Sequence, residues 1–291
     1  MKKQLFCLAL ILCALLPFQA RAIDPGTVGG TLTIDKDVIQ LKHVYAHLHD
    51  NAEGWLDSRE MRILLTDRTV PQETVAGLNV FFALAEMLKQ NKVRGVLLRF
   101  DPATPNSIVI TNLYPPKDPN ESLANKSLSY GDRSPIDKLA ISEQRVSGAL
   151  KLHSDGNQEL GWPLEDYAVS FSAPLFREPA ITSDISGAKA LKSPQVAVLQ
   201  AKCAAIVKGD MQKAREYSTD RSNREIDTYL AQAGEETMRM LQQMAGEQEK
   251  SLKTAEVRLV ERGNRAALIV NAADGKSLIN FAKDKGKWKI D

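Results

Sequence analysis

The hydrophobic period of this chain changes twice, and that limits its fold more than any other feature. Up to about residue 176 apolar residues recur at every second position. From residue 194 they recur every three or four, and from about residue 252 they alternate again. A period of two sets a strand with one buried face, and a period near 3.6 sets a helix with one buried stripe. With 291 residues there is room for two domains. The expected division is a β-rich domain over 23–176, a linker over 177–193 that is Pro-, Ser-, Gly- and Ala-rich without period, and an α+β domain over 194–291.

In the first part, residues 27–34, 38–49, 59–66, 93–100, 107–114, 145–153 and 167–175 read as strands. In the last of these Tyr167, Val169, Phe171, Ala173 and Leu175 alternate with Ala168, Ser170 and Ser172. One helix interrupts them over 75–90, with Val75, Leu78, Phe82, Ala85 and Leu88 on one face. Residues 114–135 are proline-rich and polar, a long loop carrying Asn120-Glu121-Ser122 and Asn125-Lys126-Ser127, which match the glycosylation pattern. The expected architecture is a mainly antiparallel β sandwich or barrel with one helix.

In the second part Ser193-Pro194 caps a helix whose apolar stripe is Val196, Leu199, Cys203, Ile206 and Val207. Gly209 ends it, and Asp210 caps a short helix over 211–217. Ser222 and Glu225 form a capping box for a third helix, with Ile226, Tyr229, Leu230, Ala233, Thr237, Met240, Leu241 and Met244 in register. The charged run 247–253 reads as its solvated exit. Four strands follow at 252–260, 265–271, 277–283 and 287–290, separated by Gly263-Asn264, Asp274-Gly275 and Lys285-Gly286. Three helices covering one face of an antiparallel sheet make an α+β layer.

Residues 1–22 have the make-up of a secretory signal. Lys2 and Lys3 precede an apolar run over 5–16, Pro17 ends it, and Ala20-Arg21-Ala22 is a small-x-small box with cleavage expected between Ala22 and Ile23. The run is shorter than the ~20 residues of a membrane-spanning helix. The expected destination is the bacterial periplasm or the medium, with no integral span after cleavage. The full chain has 38 basic and 36 acidic residues, net +2. Taking away Lys2, Lys3 and Arg21 leaves 35 against 36, net −1, and 291 less 22 leaves 269 residues. That balance gives no support for a nucleic-acid partner. Hydrophobic residues at 43% exclude wholesale disorder. Cys7 and Cys13 leave with the signal, so Cys203 stands alone and no intramolecular disulfide forms.

The order of elements after residue 193, the Lys208-Gly209-Asp210 turn and the ending Gly286-Lys287-Trp288-Lys289-Ile290 resemble the NTF2-like superfamily, in its small secreted bacterial form. The resemblance implies a cone of three helices on an antiparallel sheet, enclosing a pocket or serving as a dimer interface. It implies no catalytic residue, because the family's members share no catalytic motif. Residues 30–34, 41–46, 65–68, 146–150 and 171–175 resemble a β-rich exported bacterial domain of unknown function.

All four histidines, His43, His47, His49 and His153, lie in the first part. His47 and His49 are ~7 Å apart along a strand, close enough to share a metal, and His43 is ~13 Å from His47. A third ligand would have to come from another strand, from Asp50 or from Glu53, so no metal site is assigned, with His47 and His49 the candidates. Cys203 lies on an apolar stripe without a neighbouring His and reads as buried and inert. Tyr229, Met240 and Trp288 are the candidate pocket residues, with Met211, Met238 and Met244 packing nearby and Asp227 pointing away. No Gly-rich phosphate loop, Gly-x-Ser-x-Gly, His-Glu-x-x-His or Cys-x-x-Cys is present, and no cofactor is expected. The reading is an exported, non-enzymatic binding or interaction protein whose partner is an envelope protein, a small ligand or a second copy joined through the C-terminal domain. The alternatives are a hydrolase- or isomerase-type enzyme using carboxylate and Tyr groups in the cone, and metal binding through His47 and His49.

Overall fold

The computed structural model describes residues 26–291 apart from 57, 78–79, 115–126, 131–133, 157–162 and 274. The proposed signal, its Ala22–Ile23 junction and the glycosylation patterns, apart from Ser127, lie outside the described residues. The chain forms two compact units. The first holds the described residues up to His49 together with Glu60–Phe176, and the second holds Asp50–Arg59 together with Arg177–Asp291.

In the first unit the strands are β1 (Thr27–Ile34), β2 (Asp37–Gln40), β3 (His43–His49), β4 (Glu60–Thr66), β5 (Gly95–Phe100), β6 (Ile108–Leu113), β7 (Ser127–Tyr130), β8 (Ile136–Ile141), β9 (Arg145–Ser154) and β10 (Glu165–Arg177). They form one ten-stranded sheet in the order β2-β1-β10-β3-β4-β5-β6-β7, with β9 also on β10 and β8 on β9. Strand β10 is the branch point, pairing Glu165–Ser172 with β1 and residues 165–174 with β9. The sheet curls so that Leu32, Ile39, Ala46, Ile63, Leu98, Ile110, Leu150 and Phe171, from eight strands, share one core. Close approach at the branch needs a glycine: a Cβ on Gly30, at φ +125°, would lie 2.0 Å from the Ala168 carbonyl oxygen.

The helices of this unit are α1 (Gln72–Ala76) and α2 (Val80–Lys89), where one helix over 75–90 was expected. The interruption has a visible cause. The buried Arg62 guanidinium takes the carbonyls of Val75 and Gly77, which a continuous helix would give to residues 79 and 81. Gly77 itself weakens a helix by about 1 kcal/mol against Ala. The two helices cover the outer face of the central strands, where Leu64 and Leu97 pack with Val75, Leu84 and Leu88. Strand β4 is therefore buried on both faces, which explains the unbroken run Ile63-Leu64-Leu65.

The second unit contains β11 (Ser183–Ser186), α3 (Ala188–Leu191), α4 (Pro194–Val207), α5 (Met211–Glu216), α6 (Asp220–Thr254), β12 (Glu256–Arg262), β13 (Arg265–Ala272), β14 (Gly275–Asp284) and β15 (Lys287–Ile290). Its five strands run antiparallel in sequence order. Lys285 and Gly286 both have positive φ, 49° and 80°, as a type I′ hairpin turn requires. Ser193 accepts the Val196 N–H and Asp210 the Lys213 N–H, capping α4 and α5.

The expected fold class is overturned in both halves. Among the described residues, strand predominates over helix. The first unit is one curled mixed sheet with two helical segments, where a sandwich or barrel with one helix was expected. The second is a five-stranded antiparallel sheet with four helices, where a three-helix cone was expected. Residues 177–193, expected as linker, carry β11 and α3. Helix α6 starts at a Thr219 cap, before the Ser222 box, and continues through the charged run 247–253. Leu252 is buried there and Glu249 lies 3.8 Å from Lys253, so the run is about two more helical turns with a packed side. The layer between helices and sheet is filled by Leu199, Ile206, Leu252, Leu259, Leu268 and Phe281.

Candidate functional site

Strand β3 alternates. Val44, Ala46 and Leu48 enter the curled core, so His43, Tyr45, His47 and His49 take the opposite face. Antiparallel register sets their neighbours: Tyr45 opposite Leu64, His47 opposite Arg62 and His49 opposite Glu60. Arg62 in turn stands opposite Arg99 on β5, and Leu64 opposite Leu97. One face of β3, β4 and β5 thus changes within two residues from an apolar patch under the helices to His47, His49, Glu60, Arg62 and Arg99.

This charged group is largely sheltered. His47, His49 and Arg62 are 1%, 2% and 2% exposed, while Glu60 and Arg99 side chains keep 18% and 27%. The His47 and His49 rings are 6.5 Å apart, near the separation expected from strand rise, and Phe176 lies 5.6 Å from His47. Arg62 Nε donates to Glu60 Oε1 at 2.6 Å, and Glu60 Oε2 lies 3.5 Å from Arg99 Nη1. Burial lowers the Arg99 pKa, Glu60 opposes that, and the neighbouring Arg62 charge adds to it. Arg99 remains a cation at neutral pH all the same.

Asp50 and Glu53, considered as further metal ligands, are engaged in the second unit. Arg262, 6% exposed, donates Nε to Glu53 Oε1 at 2.9 Å and Nη2 to Asp50 Oδ1 at 2.6 Å, while Nη1 reaches the Pro179 carbonyl. Burial works against the Arg262 charge, but the Glu53 and Asp50 contacts outweigh it and the pKa is raised. The Asn51 side chain closes the same loop by exchanging two hydrogen bonds with the Leu56 backbone. Among the described residues no three His, Cys, Asp or Glu side chains come together as a metal-holding group. His153 is exposed, and its pKa is raised by a hydrogen bond to Asp155.

The other residues singled out from sequence do not converge. Cys203 is 2% exposed, lies 3.5 Å from Gln248 Oε1, and burial pushes its thiol up to about 11. Met240 and Met244 are exposed on α6 at 42% and 55%. Tyr229 lies on α6, and its side chain is outside the description. Trp288 is half-buried against the second core, with the Lys283 ammonium 4.6 Å above its ring. Asp227 is exposed and bonded to Arg215. A carboxylate and a tyrosine at hydrogen-bond distance occur in the first unit instead. There the Tyr167 hydroxyl lies 3.1 Å from Glu165 Oε2 and 2.8 Å from Asn112 Oδ1, all buried.

Sequence reading passed over Glu60, Arg62 and Arg99. The signal was available in part, because charges alternating with Met61 and Ile63 share parity on β4. What alternation does not reveal is that this face is sheltered. No family model matches the chain, and no curated protein or solved structure matches it either. No helix among the described residues is long and apolar enough to cross a membrane.

Proposed function

We propose that this is an exported protein of the bacterial envelope that acts by binding, with the charged face of β3, β4 and β5 holding the ligand. The observation that carries the reading is the placement of His47, His49, Glu60, Arg62 and Arg99 together in a sheltered position. A purely structural scaffold continues the apolar Tyr45, Leu64 and Leu97 surface there, because buried charge costs free energy unless it is paired. Export is supported by the signal-like sequence over 1–22.

The test is retention. Tagged protein lacking residues 1–22 is incubated with bacterial envelope extract, recovered, and the retained small molecules and proteins are identified by mass spectrometry. Wild type is expected to retain a defined species that Arg99→Gln loses. Equal retention by both proteins, or none by either, refutes this face as the binding surface.

A further inference from the structure

Helix α6 fills the core of the second unit with Thr237, Ala245 and Leu252, which are buried, and with Leu241, which is partly so. Met240 and Met244 lie to one side of that stripe and keep 42% and 55% exposure. The core is complete without them, although methionine is a residue type more often found inside. Four residues apart on one helix, they have Cβ atoms about 5–6 Å from each other. Each side chain is unbranched and flexible, so both sulfurs reach a single ion placed between them. Glu236, four residues before Met240, and Glu247, three after Met244, are exposed on the same side. Glu247 Oε1 also accepts from Gln243 Nε2 at 2.8 Å. Arg239 and Lys250 project from another strip, roughly 80° or more round the helix from the two methionines. Met238 stands farther still, about 160° from Met240.

We infer that Met240 and Met244 form a two-thioether site for a soft monovalent cation of the Cu(I) class. A thioether carries no charge and no proton that a metal must displace. Soft sulfur donors of this kind select Cu(I), whereas Mg²⁺ and Ca²⁺ prefer oxygen and Zn²⁺ prefers thiolate, imidazole and carboxylate. The two flanking carboxylates add negative charge beside the ion without competing for its soft character. The site is separate from the charged face of β3, β4 and β5, and it uses neither His47 and His49 nor the buried Cys203 thiol.

The probe is Ag(I), which shares the soft, monovalent character of Cu(I) and is not oxidised in air. Protein lacking residues 1–22, carrying Cys203→Ala and ¹³C-methyl methionine, is titrated with silver nitrate and followed by NMR. The Met240 and Met244 methyl signals, assigned with Met240→Leu and Met244→Leu, are expected to move together and to saturate at one ion per chain. Losing one of two linked donors removes the chelate advantage, so either Leu variant is expected to bind roughly ten-fold or more weakly. The double variant is expected to lose the site. Zinc is expected to leave both signals in place. Affinity is expected to stay constant over about pH 5–8, the range in which imidazole ligands are lost to protonation. Cu(I) supplied anaerobically from a coloured chelator is expected to transfer to the protein with the same dependence on both methionines. Leucine is close to methionine in volume and both sites are exposed, and thermal melts establish that each variant is folded. The methyl signals report the site directly, so the chain that keeps Cys203 serves equally if Cys203→Ala melts early. The inference is overturned if excess silver leaves the two signals unmoved, if either single variant binds like wild type, or if Cu(I) transfer is the same in the double variant.

Discussion

Cys203 shows how burial alone sets a residue's chemistry. It sits on α4 among Leu199 and Ile206, 2% exposed, with a thiol pushed up to about 11 from its ordinary value of 9.0. The thiolate is the reactive form, and a shift of about two units leaves roughly a hundredth of the ordinary thiolate fraction at neutral pH. Iodoacetamide is therefore expected to label native protein at least ~100-fold more slowly than unfolded protein. The stability consequence has a definite sign. Between about pH 9 and 11 the unfolded chain gives up this proton while the folded chain keeps it, so this contribution is complete below pH 9 and is lost as pH rises. Denaturant melts across that window are expected to show a decline of about 2–3 kcal/mol that Cys203→Ala lacks. Rapid native labelling would contradict the assignment.

At the scale of elements, one side chain decides a helix boundary. Periodicity over 75–90 supports an unbroken helix, yet Arg62 reaches from β4 to the carbonyls of Val75 and Gly77 and separates α1 from α2. Removing it leaves those carbonyls without their donor and Glu60 with only the more distant Arg99. Arg62→Ala is expected to destabilise the protein by about 3–5 kcal/mol, the range for breaking a buried ion pair. Amide exchange is expected to accelerate first over residues 72–89. If that segment stays as protected as in wild type, Arg62 does not organise it. The same element scale explains why α6 was foreshortened in sequence. Charge in 247–253 signals exposure, but Leu252 at 2% and the Glu249–Lys253 spacing show a helix with one charged side.

At the scale of the whole molecule, Asp50–Arg59 belongs to the second unit although it lies in sequence between two strands of the first. Arg262 accounts for it, with Glu53 and Asp50 both accepting from one buried guanidinium. Such pairs are costly to break singly, because the remaining charge stays buried without its partner. Arg262→Ala and Glu53→Ala are each expected to cost about 3–5 kcal/mol, whereas Arg262→Met with Glu53→Leu costs much less than their sum. A double-mutant cycle by urea denaturation measures the coupling, and additive single effects would show that the pair contributes no interaction of its own.

Period and turn chemistry determined, from sequence alone, most of the strands, the three main helices of the second half and the antiparallel order of its last four strands. These depend on local alternation, on caps such as Ser193 and Asp210, and on turns such as Lys285-Gly286. Parity also placed His43, His47 and His49 on one face of β3. Tertiary structure decided what local pattern does not encode. It branched the sheet at β10, curled it round a common core, and turned 177–193 from linker into β11 and α3. It brought Glu60, Arg62 and Arg99 beside the histidines, and it gave Asp50 and Glu53 to Arg262, more than 200 residues away. The physical reason is that alternation says which residues share a face. Which faces are sheltered, and which distant charges meet there, depends on contacts between segments remote in sequence.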